Sequence, residues 1–263
     1  MPPSAAPSPS LTMPVPDLGD TCTAFAAKSD RDLLQAYWLF RIIGTPWLTA
    51  FGSLLTRIAL ALSLPVKGMV KATIFKQFCG GETINECLRT AHRLAESGVG
   101  TILDYSAEGK DDEESLDATT TETLRTIAAA KGNPDIPFCV FKPTGVARMD
   151  VMEKVSLGGR LAKEDEVAWD HARARVRRIC EAAEAADVPV LVDAEDSWIQ
   201  PAVDALVGAM MQRYNIRRPL VYNTVQLYRH DRLDFLRVHV EHGKAHGYHL
   251  GVKLVRGAYM EEE

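Results

Sequence analysis

Charged and amide side chains recur along this chain at one kind of position, directly after a short apolar run. The residues that share this position are Asp104, Glu108, Lys142, Asp193, Glu195, Gln226, Lys253, Arg256 and Tyr259. A single charged residue at the end of a strand is usually a solvated loop residue. Charges that follow five separate apolar runs are harder to dismiss, because charged groups near buried strand ends need partners. We therefore expect these side chains to form one site.

Three kinds of chemistry suit such a set of residues. A lysine at a strand end could form a Schiff base with a carbonyl substrate, as in an aldolase. The carboxylates of Asp193 and Glu195 could hold a divalent metal ion. Lysine and arginine could instead hold a carboxylate substrate and the negative charge of a reduced flavin. The spacing of the residues does not choose among these three.

The apolar runs that carry these residues alternate with amphipathic segments of helical length. The predicted strands are Ala72–Phe78, Gly100–Asp104, Pro137–Lys142, Val188–Asp193, Leu220–Asn223 and Leu250–Val255. The predicted helices are Thr83–Ser97, Asp112–Lys131, Lys163–Ala186, Ile199–Tyr214 and Asp231–Gly247. Continuous apolar strands are typical of a parallel sheet buried on both faces. Six such βα units fit an open doubly wound sheet or part of an eight-stranded barrel, in which strand ends share one rim.

Composition limits the class of partner and the compartment. The chain has 263 residues and a net charge of −5, so a nucleic-acid partner is not expected. The five cysteines show no CxxC spacing, which predicts reduced thiols in a cytoplasmic compartment rather than disulfides or a metal site. Residues 1–20 are rich in Pro, Ser and Ala and contain no Lys or Arg, which predicts a disordered leader rather than a targeting signal.

The apolar run from Trp47 to Val66 is about as long as a membrane span, but Arg57 lies in its middle. We therefore interpret it as an amphipathic packing helix, with peripheral membrane contact as the alternative. The predicted organisation is a leader at 1–20, a helical segment at 21–70 and a βα domain at 71–263.

Five segments of the chain resemble the proline dehydrogenase (proline oxidase) family, and they occur in the family's order. They are Phe78-Cys-Gly-Gly-Glu82, Thr101-Ile-Leu-Asp-Tyr-Ser-Ala-Glu108, Val192-Asp-Ala-Glu195, Tyr222-Asn-Thr-Val-Gln226 and Lys253-Leu-Val-Arg-Gly-Ala-Tyr259. The last segment is highly specific, and the resemblance covers roughly residues 70–263. It implies a distorted (βα)8 TIM-type barrel with FAD at the rim. The implied reaction oxidises L-proline to Δ1-pyrroline-5-carboxylate, in proline catabolism, and passes electrons to a quinone.

The resemblance also implies roles for individual residues. Lys142 would contact the proline carboxylate, Asp104 would hold that lysine, and Tyr259 would pack against the proline ring. The residues implied to line the flavin are Gln226, Lys253, Val255 and Gly257. Lys253 stands where many relatives carry arginine, so its contact geometry would differ. Those implied to support the pocket are Asp193, Glu195 and Arg256, and no metal site is implied.

The family pattern continues beyond the last residue of this sequence. Family members have two further strands and a helix whose paired arginines clamp the substrate carboxylate. We therefore expect a barrel that is incomplete after the sixth strand, from a truncated chain that is inactive alone. The alternatives are a lyase or aldolase that uses Lys142 or Lys253, and a non-catalytic partial barrel. The resemblance also implies peripheral association with the inner membrane, which is mitochondrial if the source is a eukaryote.

Overall fold

The computed structural model describes residues 17, 19–62, 64–105, 109 and 111–257. The chain divides into two compact units, Met1–Cys79 and Gly80–Glu263, which we call the helical unit and the sheet unit. The predicted leader, residues 1–20, lies almost entirely outside the described residues. In the described part of the chain, no helix is long and apolar enough to cross a bilayer.

The described residues of the helical unit form helices joined by short turns. The elements are α1 (Thr21–Ala24), α2 (Asp30–Ile43), α3 (Pro46–Ala61), α4 (Lys67–Val70), a π-helical turn (Lys71–Phe75) and α5 (Lys76–Phe78). The Ser29 hydroxyl caps α2 by accepting a hydrogen bond from the Asp32 N–H at 3.2 Å. Gly44 ends α2, and Pro46 begins α3, where its missing N–H is harmless.

The prediction of a strand at Ala72–Phe78 was wrong, because this segment continues the helix that begins at Lys67. No glycine or proline separates Val70 from Phe78, so nothing stops the helix from running on. A short apolar run reads alike as a strand and as a buried helical segment. The described part of the sheet therefore contains five strands, where six were expected.

The sheet unit is built on five parallel strands that pair in the order in which they occur along the chain. They are β1 (Ile102–Leu103), β2 (Phe138–Phe141), β3 (Val190–Val192), β4 (Val221–Gln226) and β5 (Val252–Val255). The prediction of a parallel α/β sheet is confirmed. Among the described residues β1 and β5 are the edges, so the sheet is not closed within this part of the chain.

One helix precedes β1, and the others connect the strands. They are α6 (Ile84–Ala95), α7 (Glu113–Ala130), α8 (Met149–Ser156), α9 (Lys163–Ala186), α10 (Gln200–Tyr214) and α11 (Arg232–His246). Asp112 caps α7 through the Ser115 N–H at 2.8 Å. Left-handed residues, Asp187 and Gly247, end α9 and α11. Helix α8 was not predicted.

The core lies between the strands and the helices. Cys139, Val190 and Val221 from three neighbouring strands are fully buried, and Ile179 and Cys180 of α9 pack into the same cluster. Burial raises the pKa of the Cys139 thiol to about 11 and that of the Cys180 thiol to about 12. Both cysteines therefore serve as packing groups rather than as nucleophiles.

Candidate active site

The carboxyl ends of β2, β3, β4 and β5 meet at one edge of the sheet, which we call the rim. Phe141 pairs with Val192, so Lys142 and Asp193 follow neighbouring strands at the same level. The Asp193 N–H extends the ladder by donating to the Phe141 carbonyl at 3.1 Å. At the other side of the rim, Gln226 pairs with Val255. The parallel register thus gathers the predicted strand-end residues, as a parallel sheet requires.

An ion pair spans the rim between two strands that are not neighbours. Lys253 of β5 lies beside Thr224 of β4 in the sheet register, and its Nζ contacts Asp193 Oδ1 at 2.5 Å. Asp193 directly follows β3, so the lysine side chain crosses the width of β4. The two side chains remain 33% and 23% exposed, so the pair is open at the rim surface. It places a cation and an anion side by side where a ligand could contact either.

Glu195 is buried at the rim and is held by a threonine that sequence reasoning did not identify. The Thr144 N–H donates to Glu195 Oε2 at 2.9 Å, and the Thr144 hydroxyl donates to Oε1 at 2.7 Å. Both residues are about 4% exposed. Thr144 lies in the short 3-10 turn Pro143–Gly145, immediately after Lys142. This contact joins the loop after β2 to the loop after β3.

Gln226 extends the same hydrogen-bonded cluster to β4. Its Nε2 donates to the Glu195 carbonyl at 2.6 Å, and the residue is 1% exposed. Arg229 donates through Nη1 to the Ser197 carbonyl at 3.2 Å and to Gln226 Oε1 at 3.4 Å. Three consecutive strand ends are therefore tied together by side chains rather than by the backbone ladder. Such a network fixes the rim geometry more firmly than loops alone would.

Gly257 follows β5 in a conformation that glycine adopts readily. Its φ is +108°, and a Cβ there would lie 2.1 Å from Cδ1 of the Tyr228 ring. The ring therefore packs directly against the glycine backbone. Only a residue without a side chain permits this approach, so the sequence Arg256-Gly257 sets the path of the chain as it leaves the rim.

The other described residues of the predicted set differ in burial. Lys142 is half-buried at the end of β2, Asp104 is exposed after β1, and Arg256 is exposed after β5. Val255 is half-buried in β5. Glu108 and Tyr259 lie outside the described residues, so their predicted roles stay predictions.

The carboxylates considered as metal ligands have other partners. Asp193 pairs with Lys253, and Glu195 is held by Thr144. No group of three or more His, Cys, Asp and Glu side chains among the described residues is arranged to hold a metal ion. A surface cavity of about 460 Å³ is lined by the C-terminal half of α11 and the segment that leads from it towards β5, at the end of the strands opposite to the rim. It contains none of the rim residues.

Two residues that position the rim, Thr144 and Arg229, were missed by the sequence interpretation. Thr144 offered one signal, because it lies two residues beyond a predicted strand-end lysine. Its hydroxyl is neutral, however, and a search for charged strand ends passes over it. Arg229 is separated from β4 by Leu227 and Tyr228, and only the folded turn brings it back to Gln226.

Solved structures share the fold of this chain. It is similar to proline utilization A (PutA) from Bdellovibrio bacteriovorus inactivated by N-propargylglycine, with a TM-score of 0.62 at 14% identity. That match covers 92% of this chain and 26% of the PutA chain. The D779W mutant of Bradyrhizobium japonicum PutA matches with a TM-score of 0.53 at 20% identity over 70% of this chain and 18% of its own. The α/β fold of this chain is therefore similar to the TIM-barrel-like fold of PutA.

Sequence relatives point the same way. The chain is 36% identical over 197 residues to the carbapenem antibiotics biosynthesis protein CarD of Pectobacterium carotovorum subsp. carotovorum, covering 75% of this chain and 52% of CarD. It is 28% identical to mitochondrial proline dehydrogenase 1 of Dictyostelium discoideum, covering 93% of this chain and 50% of the relative. For mitochondrial proline dehydrogenase 1 of Arabidopsis thaliana the identity is 29%, and the shares are 98% and 62%.

The chain thus spans about half the length of the curated relatives that it matches. The proline dehydrogenase family model matches residues 87–263, which include every described strand and the whole rim. The parallel strands, the residues at their carboxyl ends and this match agree. The chain belongs to the proline dehydrogenase family.

Proposed function

We propose that this chain carries the site for FAD-dependent oxidation of L-proline to Δ1-pyrroline-5-carboxylate, with electrons passed on to a quinone. Its family membership and the proline dehydrogenases among its relatives support the reaction class. The observation that carries the proposal is the rim itself, where the Lys253–Asp193 pair lies next to the buried Glu195–Gln226 cluster. This arrangement offers a cation, an amide and a rigid support at one strand edge.

The rim residues fit a flavin by the chemistry of their donors. Reduced flavin carries negative charge, which the Lys253 ammonium would stabilise, and the ring edge needs hydrogen-bond donors and acceptors of the kind Gln226 offers. Gly257 has no side chain that would obstruct a planar ring near its backbone. We propose that Gln226, Lys253, Val255 and Gly257 hold the flavin. When bound, FAD supplies the two-electron acceptor that the protein side chains lack.

Other predicted residues are assigned to the substrate. We propose that Lys142 binds the proline carboxylate, that Asp104 orients Lys142, and that Tyr259 covers the proline ring. In the reaction, a hydride leaves Cδ of proline and a proton leaves its nitrogen, so that a carbon–nitrogen double bond forms. The quinone takes up the two electrons together with two protons and becomes its hydroquinone. The part of the protein is to orient proline and exclude water.

Asp193, Glu195 and Arg256 are proposed to support this site without touching the reacting atoms. Asp193 fixes the position of the Lys253 ammonium, and Glu195 links Thr144 to the strand that carries Gln226. The proposed organisation around the site is a leader at 1–20, a helical segment at 21–70 and a barrel domain at 71–263. Because quinones dissolve in lipid, we also propose that the protein works at a membrane surface.

A titration of the purified chain with FAD tests the cofactor assignment. Replacing Lys253 by Met removes the cation and leaves Asp193 unpaired, so the dissociation constant for FAD should rise about tenfold or more. Lys253→Arg keeps the charge and should bind within about threefold of the wild type. Equal FAD affinity in all three proteins would contradict the role of Lys253.

The aldolase alternative is separated by a second measurement. Borohydride treatment with a keto acid would attach the substrate covalently if Lys142 or Lys253 formed a Schiff base. The contact of Lys253 Nζ with Asp193 favours a structural and electrostatic role for this lysine. We therefore expect no increase in mass by mass spectrometry.

A further inference from the structure

The helical unit exposes an apolar stripe along one side of α3. The stripe consists of Trp47, Phe51, Leu54, Leu55 and Ile58, which are 46–69% exposed. Their spacing of three and four residues puts them on one face of the helix. Thr49, Ser53 and Thr56 lie on the opposite face. A contiguous apolar face that is exposed to water usually marks an interaction surface.

Helix α2 contributes aromatic side chains of the kind that favour a lipid–water interface. Tyr37 and Trp38 are each 54% exposed and lie in adjacent positions of the helix, with Leu34 one turn before them. The Tyr37 hydroxyl accepts a hydrogen bond from Arg41 Nη1 at 2.9 Å, so a polar tip and a cation stand beside an apolar ring. Trp and Tyr concentrate at bilayer interfaces for this combination of properties.

The charge of the helical unit is opposite to that of the rest of the chain. Residues 1–79 contain seven Lys and Arg and four Asp, a net charge of +3, whereas residues 80–263 contain 23 basic and 31 acidic residues, a net charge of −8. Arg41 and Arg57, the basic residues of α2 and α3 beyond the first turn, are both exposed. Cations beside an apolar aromatic face match the chemistry of an anionic lipid surface.

We propose that α2 and α3 dock the chain on an anionic lipid surface. The α3 stripe and the aromatic residues of α2 enter the headgroup region, and Arg41 and Arg57 face the lipid phosphates. Apolar burial supplies the retention, and the basic charge selects anionic over neutral lipid. This inference deepens the proposed function, on which it rests only for the location of the quinone, by naming the docking element and the lipid class.

Vesicle sedimentation with the full chain tests the docking element. Wild type should bind vesicles that contain phosphatidylglycerol more tightly than vesicles of phosphatidylcholine alone, and added salt should weaken that binding. The double variant Trp47→Ser, Phe51→Ser should bind at least about tenfold more weakly. The control is Leu157→Ser, Val238→Ser, which removes two apolar side chains that are 79% and 64% exposed outside the helical unit. It should bind like the wild type.

The charge is tested separately. Arg41→Glu, Arg57→Glu should lower binding to the anionic vesicles about tenfold or more and change binding to neutral vesicles little. Arg237→Glu, an exposed arginine of α11, should leave both unchanged. Equal binding to anionic and neutral vesicles, or equal loss in the control variants, would overturn the proposal. A third outcome would also overturn it: the wild type does not bind vesicles but self-associates in the ultracentrifuge, and the stripe variant does not self-associate. The stripe would then bind a second copy of the chain.

Vesicle binding needs neither flavin nor proline, so the two proposals fail independently. FAD affinity of the stripe variant should equal that of the wild type. If vesicle binding is absent while FAD and proline still act as proposed, only the docking surface is wrong. If vesicles bind as proposed but FAD does not, the docking surface stands and the proposed function falls.

Discussion

At the scale of single residues, Thr144 is the contact on which the rim depends most. It meets both carboxylate oxygens of the buried Glu195, and Glu195 in turn accepts from Gln226 through its carbonyl. A buried carboxylate has given up its hydration, so when it loses a hydrogen-bond donor its desolvation free energy is no longer compensated. The position of Gln226 therefore depends on a hydroxyl group that lies two strands away.

Replacing Thr144 by Val should lower the free energy of unfolding by about 1–3 kcal/mol, because one buried carboxylate oxygen loses its donor. Thr144→Ser keeps the hydroxyl and should lose less than about 1 kcal/mol. Urea unfolding followed by circular dichroism measures both. FAD affinity should fall in Thr144→Val and recover in Thr144→Ser, and a valine variant as stable as the serine variant would contradict this role.

Asp231 gives the protein a defined dependence of stability on pH. Hydrogen bonds from Arg232 and Arg229 hold the pKa of this carboxyl well below its ordinary value. A pKa that is lower in the folded state stabilises the fold above the unfolded-state value of about 4, and this stabilisation is lost as the pH falls. Wild type should therefore exceed Asp231→Asn in unfolding free energy at neutral pH.

That difference should shrink as the pH is lowered from about 5 towards 2, because the carboxyl takes up a proton in the unfolded state while it stays ionised in the folded state. Unfolding curves at several pH values measure it. Asp234→Asn is the matched control, since Asp234 is 82% exposed in its pair with Arg237. Its effect should be small throughout. A difference for Asp231→Asn that grows at low pH would contradict the stated direction.

At the scale of elements, Asn215 joins α10 to the start of β4 and to the segment before β5. The residue is fully buried, and its Nδ2 donates to the carbonyls of Val221 and His249 at 2.9 Å each. Its Oδ1 accepts from the N–H groups of Leu220 and Val221. All four hydrogen-bonding positions of the amide are therefore used.

Asn215→Asp should destabilise the fold by about 3 kcal/mol, because a carboxylate cannot donate and would face two carbonyl oxygens in a buried site. Thermal unfolding measures the loss. Asn133→Asp is the control, since the described hydrogen bond of that side chain is accepted from the Asp135 N–H, which a carboxylate also accepts. Equal losses of stability in the two variants would show that the hydrogen bonds of Asn215 do not link α10 to β4 and to the segment before β5.

Gly251 permits the close approach of β4 and the start of β5. A Cβ at this position would lie 2.4 Å from the Val221 carbonyl oxygen. Gly251→Ala should therefore lower the Tm by several degrees. Gly208 in α10 has open space around its Cα. Gly208→Ala should be neutral or stabilising by about 0.5–1 kcal/mol, as expected within a helix. The reverse ranking of the two variants by thermal unfolding would contradict the packing of β4 against β5.

The elements differ in how far the sequence predicts them. Helix α9 was predicted at its observed bounds because acidic residues open it and a long amphipathic pattern follows. Strands β2 to β5 were predicted because buried parallel strands form continuous apolar runs. Helix α8 was missed because Arg148, at its start, makes no side-chain cap. The Lys253–Asp193 pair was not predicted either, since it depends on the register across β4.

At the scale of the whole molecule, the chain combines a family-typical sheet unit with a basic helical unit that exposes apolar side chains. The family was predicted from short segments that lie at strand ends, where chemistry restricts residue types most. The relation between Asp104 and Lys142, and the role of Tyr259, stay predictions. The expected truncation also stays a prediction, and the chain spans about half the length of its relatives.

The visible absorption spectrum of the purified full chain, mixed with FAD, desalted and then given L-proline without oxygen, tests the central claim most directly. We predict that flavin absorption is retained after desalting. Bleaching by L-proline but not by D-proline would show that the site acts on proline and that the expected inactivity of the chain alone is wrong. Lys253→Met should retain less flavin than Lys253→Arg in the same experiment. A wild-type chain that retains no flavin would contradict the claim that the rim around Gln226 and Lys253 is a flavin site.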